Sequence, residues 1–137
     1  MVDAKAFPSS KPILEKLGIK PSHRAGVLEL PEQGFRILGT LPAGVAFESI
    51  LKGEFDFLIG FYSTEKDLKA ALTLAKKLLK NAGMIWVCWQ KGNITELNRD
   101  LIAKISEVKG LETVSAVSMN DVWSGLKLMY PKNMRSN

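Results

Sequence analysis

The sequence predicts an α/β protein, a three-layer sandwich in which helices cover both faces of a mostly parallel sheet. Two runs of residues, 55–62 and 84–89, are apolar at nearly every position, as in parallel strands that are buried on both faces. Helical segments separate most of the predicted strands, which favours right-handed crossovers. The last two predicted strands are joined by the turn Asn120-Asp121, so we expect them to close the sheet as an antiparallel hairpin.

The first part of the chain is predicted to form one short helix and three strands. Ser10 can cap a helix that runs to Leu17, and Gly18 should end it. Strands are predicted at residues 25–30, 44–47 and 55–62, with one or two helical turns at residues 32–38.

The clearest helix is predicted over residues 64–80. Apolar side chains recur there every three or four residues, which places them on one buried stripe. Ser63 or Thr64 can accept a hydrogen bond from the free amides of the first turn. We expect residues 81–83 (Asn-Ala-Gly) to stop this helix before the strand at 84–89 begins.

A second long helix is predicted to begin at Asn93. Asn93 and Glu96 have the spacing of a capping box, and Gly110 should end the helix. Strands at residues 113–118 and 122–130 should follow. The buried stripe of this helix is expected to consist of Ile94, Leu97, Leu101, Ile105 and Val108.

The length of 137 residues is that of one domain. We expect a folded core over residues 10–130, with loose ends at residues 1–9 and 131–137. Cys88 is the only cysteine, so no internal disulfide can form and a reducing cytoplasm is the expected compartment. No apolar run reaches the length of about 18 residues that a membrane span requires, so we expect no membrane partner.

The net charge of +5 raises the question of a nucleic-acid partner. The densest basic group falls on the helix predicted at residues 64–80, where lysines ordinarily keep an exposed face solvated. No cluster of arginines and no exposed aromatic platform accompanies it. We therefore disfavour nucleic-acid binding. The lysines of this group are Lys66, Lys69, Lys76, Lys77 and Lys80.

The succession of elements, with its closing antiparallel hairpin, resembles a shortened form of the Rossmann-like fold of class I methyltransferases. Residues 80–87 (Lys-Asn-Ala-Gly-Met-Ile-Trp-Val) occupy the place where that fold often has a lysine and a proline-glycine-glycine turn before a strand. The resemblance implies the sheet order 2-1-3-4-6-5, with strands numbered along the chain.

The chain also resembles a small bacterial family of unknown function over most of residues 13–128. The resemblance implies a fold and a set of positions, but not an activity. The matching motifs are Lys-Leu-Gly-Ile-Lys-Pro at 16–21, Trp86 and Val87 followed by Lys91, Leu-Asn-Arg-Asp at 97–100, and Asp-x-Trp-Ser-x-Leu at 121–126.

In an open α/β sheet, ligands bind at the carboxyl ends of the strands, near the point where strand order reverses. Here that point lies between the first and third strands, and the candidate cofactor-binding residues are Glu32, Gly34, Glu48 and Tyr62. Glu48 could imitate the acidic residue that holds a ribose hydroxyl. A methyltransferase needs a glycine-rich turn after the first strand, whereas this chain has one glycine there and Pro31 removes an amide donor. We therefore expect no cofactor.

A second candidate site lies at the far end of the predicted sheet, where polar side chains should converge if the last strand pairs beside the fourth. Arg99 beside Lys91 could hold an anion through paired hydrogen bonds. A structural network is the alternative, in which Asp121 caps a turn and Asp100 pairs with a nearby cation. The candidate ligand-binding residues are Lys91, Asn98, Arg99, Asp100, Asp121, Trp123 and Ser124.

The side chains best suited to catalysis are poorly placed in this sequence. His23, the single histidine, precedes the first strand and so belongs at the end of the sheet opposite the expected crevice. Cys88 lies inside an apolar strand and has the character of a small hydrophobic residue. No metal-ligand spacing and no phosphate-binding glycine loop occurs.

The sequence therefore favours a non-catalytic binding or interaction module on a degenerate methyltransferase-like fold. The alternative is a small enzyme or sensor that binds an anionic or nucleotide-like ligand at the carboxyl edge of the sheet. Self-association stays open, since Trp89, Met119 and Tyr130 could line either a subunit contact or the core.

Overall fold

The computed structural model describes residues 13–31, 38–39, 44–49 and 51–135. They form a six-stranded sheet with helices packed on it. In chain order the elements are α1 (Ile13–Lys16), β1 (Ala25–Glu29), β2 (Phe47–Glu48), β3 (Phe55–Phe61), α2 (Glu65–Leu78), β4 (Leu79–Gln90), α3 (Arg99–Val108), β5 (Glu112–Ser118), β6 (Trp123–Met129) and a 3₁₀ turn (Lys132–Met134).

The sheet has the order β2-β1-β3-β4-β6-β5, which confirms the predicted order. Strands β1 to β4 are parallel where they pair, with Ile59 opposite Trp86 in the centre. Strand β6 runs antiparallel to both β4 and β5, as the predicted hairpin requires. The α/β class and the parallel direction of the two apolar central strands are thus confirmed.

Each face of the sheet carries its own apolar core. Helices α2 and α3 cover one face, where Leu58, Leu72 and Ile102 are buried. On the opposite face α1 packs on the central strands, and Leu17 and Trp86 are buried there. The indole Nε1 of Trp86 donates a hydrogen bond of 2.8 Å to the carbonyl of Leu17, which fastens the short helix to the sheet.

Helix α2 passes directly into β4, and the predicted stop at residues 81–83 is wrong. The helix ends at Leu78 and the strand begins at Leu79, so residues 81–83 lie within β4. Leu79 pairs with Phe55 of β3, and this tertiary pairing overrides the local stop signal. Gly83 serves the strand instead, because a Cβ at that position would lie 2.7 Å from the carbonyl oxygen of Phe55.

Helix α3 begins later than predicted, so the assignment of Asn93 as its cap is wrong. Asn98 is the N-cap, and its Oδ1 accepts a hydrogen bond of 2.9 Å from the amide of Leu101. Glu96 caps α2 across space, because its carboxylate accepts a 2.8 Å hydrogen bond from the amide of Glu65. The residues at the two ends of the predicted buried stripe are exposed instead, Ile94 by 68% and Val108 by 82%.

The remaining differences lie at element ends. The strand predicted at 44–47 is the short β2, Phe47–Glu48. Of the helical turns predicted over residues 32–38, residues 32–37 lie outside the described residues, as do the start of the first helix at residues 10–12 and the end at residues 1–9. Within the end predicted to be loose, residues 131–137, Lys132–Met134 form the 3₁₀ turn, and Arg135 binds the carbonyl of Tyr130 at 2.6 Å and the carboxylate of Glu112.

Candidate functional site

A cavity of about 260 Å³ lies at the carboxyl ends of β1 and β3, beside the outward face of α2. Strand order reverses here, because β2 lies on one side of β1 and β3 on the other. This is the position where open α/β sheets bind ligands. The cavity is lined by Leu28, Glu29, Tyr62, Asp67, Ala70, Ala71 and Leu74.

Tyr62 is the most unusual residue of this cavity. Its side chain is only 4% exposed, and among the residues that the structure describes its buried hydroxyl has no hydrogen-bond partner. Burial, followed by the negative charge of Glu29, raises the pKa of Tyr62, so the phenol stays neutral. The cavity is therefore lined in part by a tyrosine whose neutral hydroxyl is enclosed beside Gly60 and has unused hydrogen-bonding capacity.

Gly60 makes room for the phenol of Tyr62. A Cβ at position 60 would lie 2.2 Å from the Tyr62 hydroxyl, so only glycine permits the ring to fold back along β3. The backbone amide of Tyr62 donates a 2.9 Å hydrogen bond to the carbonyl of Cys88, which fixes the end of β3 against β4. The position of the hydroxyl is thus set by the sheet rather than by a flexible loop.

The first turn of α2 beside the cavity is already supplied with acceptors. Thr64 Oγ1 accepts a hydrogen bond of 3.2 Å from the amide of Asp67, and the carboxylate of Glu96 binds the amide of Glu65. Glu29 and Asp67 are the charged residues of the cavity wall, and both are acidic. The cavity is therefore electronegative, although the whole chain carries a net charge of +5.

Glu48, the predicted ribose-binding residue, lies near the other end of the sheet. It pairs with Gly26 at the start of β1, and its carboxylate receives hydrogen bonds of 2.8 Å from Nε and Nη2 of Arg24. The Arg24 hydrogen bonds lower the pKa of Glu48. Of the other residues predicted for a cofactor, Tyr62 lines the cavity, while Glu32 and Gly34 lie outside the described residues.

The second predicted site is spread over separate local contacts. Lys91 donates a hydrogen bond of 2.5 Å from Nζ to the hydroxyl of Ser118. Asn98 is used as the cap of α3, and Arg99 and Asp100 are exposed in the first turn of that helix. Among the described residues, no ion pair joins Arg99 or Asp100 to Lys91 or to each other.

The three predicted residues on the last hairpin also serve local packing. Asp121 is exposed in the turn, and Ser124 pairs in register with Trp89. The ring of Trp123 packs edge-on against Phe61, with 5.1 Å between ring centroids. Trp123 belongs to the face that carries α1, whereas α3 packs on the opposite face. The structure therefore places Trp123 and the helix that follows Asn98 on opposite faces of the sheet, whereas the amide of Lys91 donates a 2.7 Å hydrogen bond to the carbonyl of Val122, next to Asp121 and Trp123.

The sequence interpretation missed the helical wall of the cavity. The outward side of α2 contributes Asp67, Ala70 and Leu74. The sequence interpretation assigns this side of the helix to solvent. Leu74 could have indicated this wall from the sequence, because it is a large apolar residue that lies off the buried stripe of the helix. In the structure its side chain is 41% exposed.

His23 and Cys88 lie apart from this cavity. His23 precedes β1, and its Nδ1 accepts a hydrogen bond of 3.1 Å from the amide of Lys20. Burial lowers the pKa of His23. Cys88 is fully buried in β4, and burial raises the pKa of its thiol. In the described part of the chain, no three His, Cys, Asp or Glu residues cluster as a metal site would require.

Comparison with solved structures places this fold among methyltransferases. The glycopeptide N-methyltransferase MtfA is 9% identical, with a TM-score of 0.58 over 86% of this chain and 87% of that chain. A TehB-like SAM-dependent methyltransferase from Corynebacterium glutamicum is 12% identical, with a TM-score of 0.57 over 86% and 85% of the two chains. Fibrillarin from Aeropyrum pernix, solved with bound S-adenosyl-L-methionine, is 13% identical, with a TM-score of 0.56 over 86% and 72%. At such identities the likeness concerns the fold alone.

Two further comparisons concern the sequence. No curated protein sequence matches the chain significantly. None of the helices formed by the described residues has the length and apolarity to cross a membrane.

The family model of DUF3052, described as a protein of unknown function, matches residues 52–132, which is more than half of the chain. The chain therefore belongs to the DUF3052 family, a family of unknown function with a methyltransferase-like fold.

Proposed function

We propose that this protein is a non-catalytic binding module that holds a small ligand in the cavity between β1, the end of β3 and α2. The observation that carries the proposal is the enclosed hydroxyl of Tyr62, a residue that lines that cavity, for which the described residues supply no hydrogen-bond partner. A buried polar group without a partner costs about 1–3 kcal/mol, so a native protein seldom keeps one without a use. A ligand that enters the cavity and draws the phenol slightly outward would recover that cost.

The placement of the reactive side chains supports binding rather than catalysis. His23 lies at the amino edge of the sheet, and the thiol of Cys88 is enclosed in β4. Glu48 is engaged by Arg24 near that same edge. Tyr62 itself stays protonated and is a poor proton donor at neutral pH, because burial raises its pKa. The groups around the cavity are suited to recognition by shape, charge and hydrogen bonding.

The test is a nuclear magnetic resonance screen of the full chain with a fragment library of neutral, cationic and anionic members. We expect bound fragments to shift the amide signals of Glu29, Tyr62 and Asp67. Ala70→Leu, an exposed position of the cavity wall, should fill the cavity and remove these shifts. Ala103→Leu is the matched control, because Ala103 lines a different cavity, beside α3 and β5.

Two results would contradict the proposal. One is a screen in which no fragment shifts the signals around the cavity. The other is fragment binding that survives Ala70→Leu as well as it survives Ala103→Leu.

A further inference from the structure

We infer that the cavity between β1 and α2 selects an organic cation, an ammonium group carried on a short apolar chain. This inference rests on the proposed function and names the class of ligand for that site. It follows from three features of the cavity: the sign of its charges, the unused hydroxyl, and the apolar part of its wall.

The charges of the cavity wall are negative. Glu29 lies on the strand side and Asp67 on the helix side, and the other lining residues are uncharged. Among the described residues, neither carboxylate has a basic partner within ion-pair distance. A cation that enters the cavity therefore meets two carboxylates that the described part of the fold leaves unpaired.

The hydroxyl of Tyr62 can supply an acceptor for a cationic donor once the ring moves slightly toward the cavity. It is neutral, the described residues give it no partner, and the charges of Glu29 and Asp67 raise its pKa further, after the larger effect of burial. An ammonium group can donate hydrogen bonds to the phenolic oxygen and to the carboxylates together. Each polar side chain that lines the cavity can thus accept a hydrogen bond from an ammonium group.

An anion is the less suitable ligand, although a helix begins beside the cavity. Two of the first-turn amides that attract anions elsewhere, those of Glu65 and Asp67, are bound here by the carboxylate of Glu96 and by Thr64. One turn further along α2, Lys69 is paired with Glu65 at 2.8 Å. An anion would therefore face carboxylates with little to offset the repulsion.

The apolar part of the wall fits a short hydrocarbon chain. Leu28, Ala70, Ala71 and Leu74 line the cavity. Leu74 is exposed for its size, and an alkyl chain lying on it would remove apolar surface from water. The cavity volume of about 260 Å³ is sufficient for a small molecule of this kind.

The experiment compares three probes of similar size on the full chain: n-butylammonium, n-butanol and butyrate. Affinity is measured by titration of the amide signals around the cavity. We expect n-butylammonium to bind at least about fivefold more tightly than n-butanol, as expected for exposed charge pairs, and butyrate to bind most weakly. Asp67→Asn and Glu29→Gln should each reduce this preference, and Tyr62→Phe should weaken n-butylammonium binding further. Glu107→Gln, in the cavity beside α3, is the control and should change nothing.

The outcomes separate this inference from the proposed function. If n-butanol or butyrate binds as well as n-butylammonium and Ala70→Leu abolishes that binding, the inference is wrong while the binding function stands. If fragments bind in the cavity but none of the three probes does, the inference is again wrong on its own. If neither fragments nor probes bind, both fail. A preference for n-butylammonium that survives Asp67→Asn with Glu29→Gln would also overturn the inference.

Discussion

Arg24 binds the carboxylate of Glu48 through two hydrogen bonds of 2.8 Å, one from Nε and one from Nη2. The guanidinium also lies over the ring of Phe55, 4.1 Å from its centroid. These contacts join β2 to the beginnings of β1 and β3. They keep the one acidic side chain of β2 near the amino edge of the sheet, away from the crevice at the carboxyl edge.

We expect S-adenosylhomocysteine to leave the melting temperature of the protein unchanged, because Glu48 is occupied by Arg24 and lies far from Tyr62 along the strands. Ligand at one hundred times its dissociation constant would add about 2.7 kcal/mol of stability, so thermal unfolding is a sensitive measurement. Glu48→Ala should lower the melting temperature equally with and without the compound. A reproducible rise that Glu48→Ala abolishes would restore a cofactor role for this residue.

The stability contributed by Asp56 should depend on pH. Burial alone would raise the pKa of Asp56, but the 2.8 Å hydrogen bond from the Arg24 amide and the ion pair with Lys80 outweigh it, and the pKa is lowered. A carboxylate with a lowered pKa stabilises the fold above its unfolded pKa of about 3.9 and loses this effect as the pH falls through its folded pKa. Asp56→Asn should therefore lower the melting temperature at neutral pH and by less below about pH 4.

The control for this pH series is Asp121→Asn, at an exposed turn. Its melting temperature should follow that of the parent chain at every pH. If the effect of Asp56→Asn is the same at pH 7 and at pH 3, the contacts of this carboxylate do not depend on its charge.

Tyr62→Phe should stabilise the ligand-free protein by about 1 kcal/mol, because the change removes a buried hydroxyl that lacks a partner. Tyr130→Phe is the matched control, since the hydroxyl of Tyr130 donates to the carbonyl of Lys76 at 2.5 Å. That variant should lose about 0.5–1 kcal/mol. Urea unfolding gives both free energies. A destabilised Tyr62→Phe would show that the hydroxyl has a partner in solution, such as an ordered water.

Trp86→Phe should destabilise the protein by about 2–3 kcal/mol. The change leaves a cavity in the core and removes the 2.8 Å hydrogen bond that holds Leu17. Trp123→Phe is the control, because its half-buried ring has no hydrogen bond to lose, and should cost less than about 1 kcal/mol. Equal losses in urea unfolding would mean that the link between α1 and the sheet contributes little.

The residue at which α3 begins can be checked by substituting Asn98 and Asn93 separately. Asn98→Ala removes the cap and should cost about 1 kcal/mol of unfolding free energy. Asn93→Gly should be neutral or slightly stabilising, because Asn93 has a φ of 56° that glycine adopts more readily. The reverse pattern would place the helix start at Asn93.

The two central strands were predictable because each is a continuous run of apolar residues. Residues 55–62 and 84–89 are apolar on both faces, which is typical of strands that are covered on both sides. Their parallel pairing, and the hairpin after them, then restrict the order of the sheet to few possibilities.

The helix ends were less predictable because several residues offer the same capping chemistry. Asn93 and Asn98 are equally able to cap a helix, and the choice depends on Glu96, which binds the amide of Glu65 in another helix. Such a contact joins residues that are 31 positions apart and leaves no local trace in the sequence.

The candidate site was predictable in location but not in composition. The reversal of strand order indicated the edge at which the cavity lined by Glu29 and Tyr62 lies. The engagement of Glu48 by Arg24 depends on a register between β1 and β2 that a two-residue strand cannot reveal in advance. The unpartnered state of the Tyr62 hydroxyl depends likewise on the packing around it.

The uninterrupted passage from Leu78 to Leu79 limits how the chain length can vary. One inserted residue there would rotate α2 by about 100° relative to the sheet, or would exchange the two faces of β4. Either change would displace Ala70 and Leu74 from the cavity or expose the apolar centre of the strand. Insertions and deletions among homologous chains should therefore avoid this boundary and accumulate in turns such as the one at residues 119–122.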